Sequence, residues 1–141
     1  MLFDTATPTG ARADERLRSD EIAWLTTVGR DGIPRSSPVW FVWDGSTFLV
    51  YSRPTAAKVR ALAANPGVSL HLEGDRRGGD VVTVEGRAEA DGSAPPAHEV
   101  PAYVEKYAAG IAGLGTDPAG FAADYATAIR ITPTRGRAWG L

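Results

Sequence analysis

The sequence predicts a mainly β (α+β) domain, a small antiparallel β-barrel with peripheral helices. Three observations carry this expectation. Short runs of alternating apolar residues recur through residues 21–90 and again after 126. Asp31-Gly32 and Asp44-Gly45 stand between such runs as hairpin turns. A single Ala-rich helix interrupts the strands, a pattern that fits a barrel better than an alternating α/β fold. At 141 residues the chain forms one domain, 1–141, long enough for one substantial core.

Residues 1–19 read as a polar arm with Pro8 and Gly10, loose at its tip and ending in a short helix over 13–19 with Leu17 as its apolar contact. The first strand covers 21–28, and Gly29-Arg30-Asp31-Gly32 turns the chain. The second covers 33–43. Its Val39, Phe41 and Trp43 point one way and Trp40 and Val42 the other, so both faces are covered, one by the barrel interior and one by a helix or a second subunit. A third strand over 46–52 leads to a helix over 55–64, opened by Pro54-Thr55 and stopped by Asn65-Pro66. The fourth strand, 67–73, alternates Val68, Leu70 and Leu72; Arg76-Arg77-Gly78-Gly79-Asp80 is a turn; the fifth strand is 81–90. Residues 91–125 hold a Pro-rich surface linker and helices over 103–111 and 118–125. Residues 126–141 supply the sixth strand, 126–132, and an end strand over 137–141.

Composition excludes several function classes. The chain has no cysteine, which removes disulfides, thiolate metal sites and Cys nucleophiles. Its two histidines, His71 and His98, stand far apart, so no metal site is expected. A net charge of −2 and a pI near 5.6 argue against nucleic acid as a partner. No apolar run reaches the ~20 residues that span a bilayer, and residues 1–19 lack a signal-peptide core, so no membrane partner and a cytoplasmic location are expected. There is no GxGxxG after a strand, no Walker A lysine, no GxSxG and no Ser/His/Asp set.

The chemistry concentrates between residues 45 and 72, a run without Asp or Glu. It places Arg53, Lys58 and Arg60 at the start of the helix. That end of a helix carries the positive pole of the macrodipole, so each cation there costs roughly 0.3–1 kcal/mol unless an anion joins it. Free backbone N–H groups, the Ser52 or Thr55 hydroxyl and a Lys or Arg head make a phosphate site. Lys58 stands out further, because 13 of the 15 basic residues are Arg. Pro38 lies inside a strand, where proline marks an edge, a bulge or a ligand against the backbone. A flat ring lying against Pro38-Val39-Trp40, with its phosphate at Ser52, Arg53 and Lys58, would account for both features.

These residues resemble the flavin and deazaflavin oxidoreductases of the pyridoxamine-phosphate-oxidase-like split-barrel superfamily. The resemblance rests on Asp31-Gly32-Ile33-Pro34, Ser37-Pro38-Val39-Trp40-Phe41-Val42-Trp43-Asp44-Gly45, Tyr51-Ser52-Arg53, Lys58-Val59-Arg60-Ala61-Leu62 and Asn65-Pro66-Gly67-Val68. Val84-Glu85-Gly86-Arg87-Ala88 and Lys106-Tyr107 also fit. The form with Pro-Val-Trp-Phe is most similar to the actinobacterial branch that depends on coenzyme F420. The resemblance implies a six-stranded antiparallel split β-barrel and a homodimer with cofactor sites at the interface. Arg35, Ser37, Pro38, Val39 and Trp40 would border the ring. Lys58 and Arg53 would hold the phosphate, with Ser52, Val59 and Arg60 alongside, and Arg135, Arg137 and Trp139 would close the site from the partner chain. Ala61 departs from the family, which often has Asn there.

The implied activity is hydride transfer between F420 and an unsaturated small organic substrate. The alternatives are an oxidase or reductase that uses flavin mononucleotide (FMN) and a non-catalytic carrier of flavin, deazaflavin or haem. No catalytic residue is singled out; Tyr51 or a bound water is the candidate proton donor. Arg76 and Arg77 are expected near the anionic tail that F420 carries beyond its phosphate.

Overall fold

In the computed structural model, which describes residues Met1–Leu141, seven strands form one curled antiparallel sheet. The elements run α1 (Pro8–Ser19), β1 (Ala23–Val28), β2 (Pro34–Val39), β3 (Val42–Trp43), β4 (Phe48–Ser52), α2 (Ala57–Ala64), β5 (Gly67–Leu72), β6 (Val81–Ala90), a short 3-10 turn, α3 (Pro101–Gly113), α4 (Pro118–Asp124) and β7 (Thr127–Trp139). The strand order is β2-β1-β5-β6-β7-β4-β3. The two edges are neighbours in the chain, because only Trp40 and Phe41 separate β2 from β3. The sheet therefore curls into a half-barrel with one extended segment crossing from edge to edge.

The hairpins fall where the sequence places them. Gly32 and Gly45 adopt φ of +74° and +94°, conformations that glycine reaches without steric cost. The expected six strands become seven through one division, and the separate end strand disappears through one fusion. The segment 33–43 divides at Trp40-Phe41, pairing with β1 before the break and with β4 after it. The sixth and end strands are one, because β7 runs on through Pro133, opposite a register shift between Glu85 and Gly86. A Cβ on Gly86 would lie 2.7 Å from the Thr132 carbonyl oxygen, so only glycine lets the two strands approach there.

The helix of the amino-terminal arm begins at Pro8, earlier than the expected 13, and the arm packs on the barrel. Thr7 caps α1 by accepting from Gly10 N at 3.0 Å, and Pro8 occupies the first turn, where its missing N–H costs nothing. Phe3, Ala13 and Leu17 join the barrel core. Arg16, 6% exposed, pairs with Asp20 at 2.6 Å and donates to the carbonyls of Glu73 and Asp80, which anchors α1 to the β5–β6 turn.

Two apolar clusters result. The larger fills the half-barrel with Val39, Phe41 and Trp43 among its members, together with Leu25, Leu70, Val84 and Ile129. The smaller lies outside the sheet, where Leu49, Tyr51 and Ala128 meet Tyr103, Tyr107 and Ile111 of α3 and Phe121 of α4. Trp40 and Val42 pack on this second cluster. The outer face of the 39–43 segment is thus covered by the chain's own helices and needs no second subunit.

No helix is long and apolar enough to cross a membrane.

Candidate functional site

Lys58 is the point where the expected site residues meet. It occupies the first turn of α2, whose N-cap is Ala56, with no side-chain cap and no acid in the first turn. Its ammonium makes no hydrogen bond or ion pair within the chain, and burial pushes its pKa down. Two depressions share Lys58 and Ala56. One is a cleft of about 420 Å³. The other is a broader polar groove of about 890 Å³.

The cleft gathers Pro38, Val39, Trp40, Ser52, Arg53 and Lys58. The groove gathers Arg35, Ser37, Arg60 and again Lys58. Val59 lines neither, because its side chain packs on the barrel core. The three carboxy-terminal residues Arg135, Arg137 and Trp139 also line neither. They lie on the distal half of β7, paired with Glu85, Thr83 and Val81.

Several side chains have structural engagements that the sequence did not reveal. Trp40 stacks on Tyr107 at 4.7 Å and on Phe121 at 5.5 Å, so its indole is built into the helical cluster and is not an open platform for a ring. A Cβ on Gly110 would lie 2.9 Å from that indole, which explains glycine in mid-helix. Ser52 is 2% exposed and its hydroxyl donates to the Arg53 carbonyl at 3.0 Å. Arg35 pairs with Asp31 at 2.8 Å, and this hydrogen bond holds the Asp31 carboxyl down at about 2. Arg60 donates to the Thr55 carbonyl at 2.8 Å, which closes the loop before α2. The Tyr51 hydroxyl donates to the Pro95 carbonyl at 2.5 Å, and burial raises its pKa, so it is poorly placed to release a proton. Arg76 and Arg77 leave the far end of β5, beside Asp80 and α1, whereas α2 leads into its near end. They do not extend the Lys58 site within this chain.

Of the roles expected for Pro38, the fold shows the edge. Strand β2 is an edge, so the missing N–H breaks no ladder, and the ring lines the cleft. The rest of the cleft comes from residues the sequence did not mark: Tyr103 and Leu114 of α3 and its end, and Phe121 and Tyr125 of α4 and its end. The signal for Tyr103 and Tyr107 was their four-residue spacing with Ile111, which marks a buried helix face but not which strand it meets.

A family model described as pyridoxamine 5'-phosphate oxidase matches residues 10–140, nearly the whole chain. The chain belongs to the pyridoxamine 5'-phosphate oxidase family. Solved structures share its fold at low identity. An F420 reductase superposes with a TM-score of 0.66 at 23% identity, over 88% of this chain and 94% of that one. HutZ, a haem storage protein from Vibrio cholerae, gives 0.68 at 19%, over 96% and 97%. A conserved hypothetical protein from Mycobacterium tuberculosis gives 0.74 at 23%, over 99% and 87%. No curated protein matches the chain. At these identities the likeness establishes the fold, and the site must be read from its own residues.

Proposed function

We propose that this family member is a cytoplasmic, homodimeric oxidoreductase that binds the deazaflavin coenzyme F420 and transfers a hydride to or from an unsaturated small organic molecule. The observation that carries the reading is Lys58. A half-buried ammonium without a carboxylate or any other partner, on an uncapped helix start, is a costly arrangement in the free protein. A phosphate placed there would supply the missing countercharge and accept from the free N–H groups of the first turn. The residues present therefore fit a phosphate-bearing cofactor. When bound, F420 supplies the hydride chemistry; the protein supplies binding and orientation. The groove along Arg35, Ser37 and Arg60 offers the length and positive charge for the rest of the molecule.

Register supports the dimeric part of the reading. Pro38 lies across from Trp24, Trp24 across from His71, His71 across from Thr83, and Thr83 across from Arg137, so these residues share a row on the outer sheet face. Val81 pairs with Trp139 beside it, and Trp139 is 44% exposed. A two-fold contact through this face would bring the partner's carboxy-terminal strand toward β2.

FMN is the second reading, favoured by the engagement of Arg35 with Asp31 and of Arg60 with Thr55, which leaves only Lys58 and Arg30 as unpaired cations of the groove. A haem carrier has less support, since neither His71 nor His98 lines the cleft or the groove. Titrating F420 and FMN against the purified protein tests the choice. The reading expects F420 binding that weakens modestly in Arg60→Ala, with FMN binding indifferent to that change. Tight FMN binding without F420 binding would replace F420 by FMN.

A further inference from the structure

The cleft beside Lys58 is chemically unlike the groove. Tyr103, Phe121 and Tyr125 line it together with the inward-stacked Trp40, and no acidic residue lines it. Arg53 holds its guanidinium 4.9 Å from the centre of the Tyr125 ring, which presents a cation over an aromatic surface. Tyr103 is fully buried, yet its hydroxyl has no hydrogen-bond partner. Buried hydroxyls in native proteins are nearly always bonded, so an orphan on a cavity wall points to a group that arrives with a ligand. Leu114 at the end of α3 is 58% exposed and borders the same space, where a ligand would cover it.

We infer that the cleft binds a flat aromatic carboxylate carrying a second polar substituent. The ring system lies among the aromatic walls, Arg53 takes the carboxylate, and the Tyr103 hydroxyl donates to the ring substituent. The faces of these rings are engaged with one another and with Arg53, so they offer the ligand an apolar aromatic lining, which favours an aromatic body over a polar one. The excess of cations over carboxylates selects an anion. The volume of about 420 Å³ suits a molecule of one or two fused rings. The inference rests on the proposed function in taking this ligand as the substrate and in leaving Lys58, which the cleft and the groove share, to the cofactor's phosphate.

The test is calorimetric titration of 6-hydroxy-2-naphthoate into the full-length protein, with and without saturating F420. Binding of one equivalent per chain is expected in both cases. Tyr103→Phe and Arg53→Gln should each weaken it about tenfold, and 2-naphthol, which lacks the carboxylate, should bind about tenfold more weakly. Unchanged affinity in both variants would overturn the inference. So would displacement of F420 by the naphthoate, which would make the cleft part of the cofactor site. Absence of naphthoate binding in a protein that binds F420 would remove the substrate assignment and leave the cofactor reading intact. Naphthoate binding with the expected variant pattern, but no F420 binding, would uphold the cleft and remove the cofactor reading.

Discussion

The Tyr107 hydroxyl sits against the backbone of Phe41, accepting from its N–H at 2.9 Å, with the Phe41 carbonyl at 3.0 Å and the Glu21 carbonyl at 2.6 Å. Lys106 donates to the same Phe41 carbonyl at 2.9 Å. These contacts replace the ladder at the point where the chain leaves β2 and enters β3. They let one segment serve both edges of the sheet without burying an unsatisfied peptide group.

Tyr107→Phe should therefore destabilise the fold while leaving its packing volume unchanged. The loss strands the buried Phe41 N–H, worth about 1–3 kcal/mol. Urea unfolding should show a lower midpoint with an unchanged slope. An unchanged midpoint would mean that the strand break is supported by other contacts.

Lys58→Ala should separate binding from stability. Cofactor affinity is expected to fall about tenfold to a hundredfold, through loss of one charge-assisted contact. The free protein should be no less stable than the wild type, because burial disfavours the unpaired ammonium in the folded state. Thermal unfolding with and without cofactor reads both effects, and the cofactor-induced rise in Tm should shrink in the variant.

Lys106 predicts a rise in stability with pH. Burial lowers its pKa to about 8 from 10.5, against a smaller opposing pull from Asp20 and Glu21. Between these values the unfolded chain binds more protons than the folded one, so stability increases as pH rises from about 8 toward 10. Above that range the raised pKa values of Tyr103 and Tyr107 act in the opposite sense, since the unfolded tyrosines ionise first. Unfolding measured at several pH values should show the rise in the wild type and a smaller one in Lys106→Met, where the lowered pKa of Lys58 still contributes in the same sense. A Lys106→Met protein with the same pH slope would assign the effect to another group.

The proposed dimer is tested at Trp139. Sedimentation of the wild type at micromolar concentration should give a dimer, and Trp139→Asp should shift it toward monomer. If the carboxy-terminal strand completes the partner's site, the same variant should also weaken cofactor binding. A wild type that remains monomeric removes both expectations.

Local sequence determined much of this protein. Two-residue alternation and Asp-Gly turns placed the hairpins, and the opposite sides of Val39-Phe41-Trp43 and Trp40-Val42 could be read directly, because side-chain direction along a strand depends only on its immediate neighbours. The basic start of α2 was equally legible, since Lys58 and the absent acids lie within a few residues of one another. What only the tertiary structure decided depends on distant residues. The break at Trp40-Phe41 exists because Tyr107 and Lys106, more than 60 positions away, satisfy its peptide groups. The continuity of β7 through Pro133 exists because Gly86 on another strand yields space. The aromatic cleft forms only when α3 and α4 close over β4, so Tyr103 and Phe121, ordinary core residues by spacing, become walls of a site. Hydrophobic burial is non-directional, and the order in which buried faces meet is settled by the packing of the whole chain.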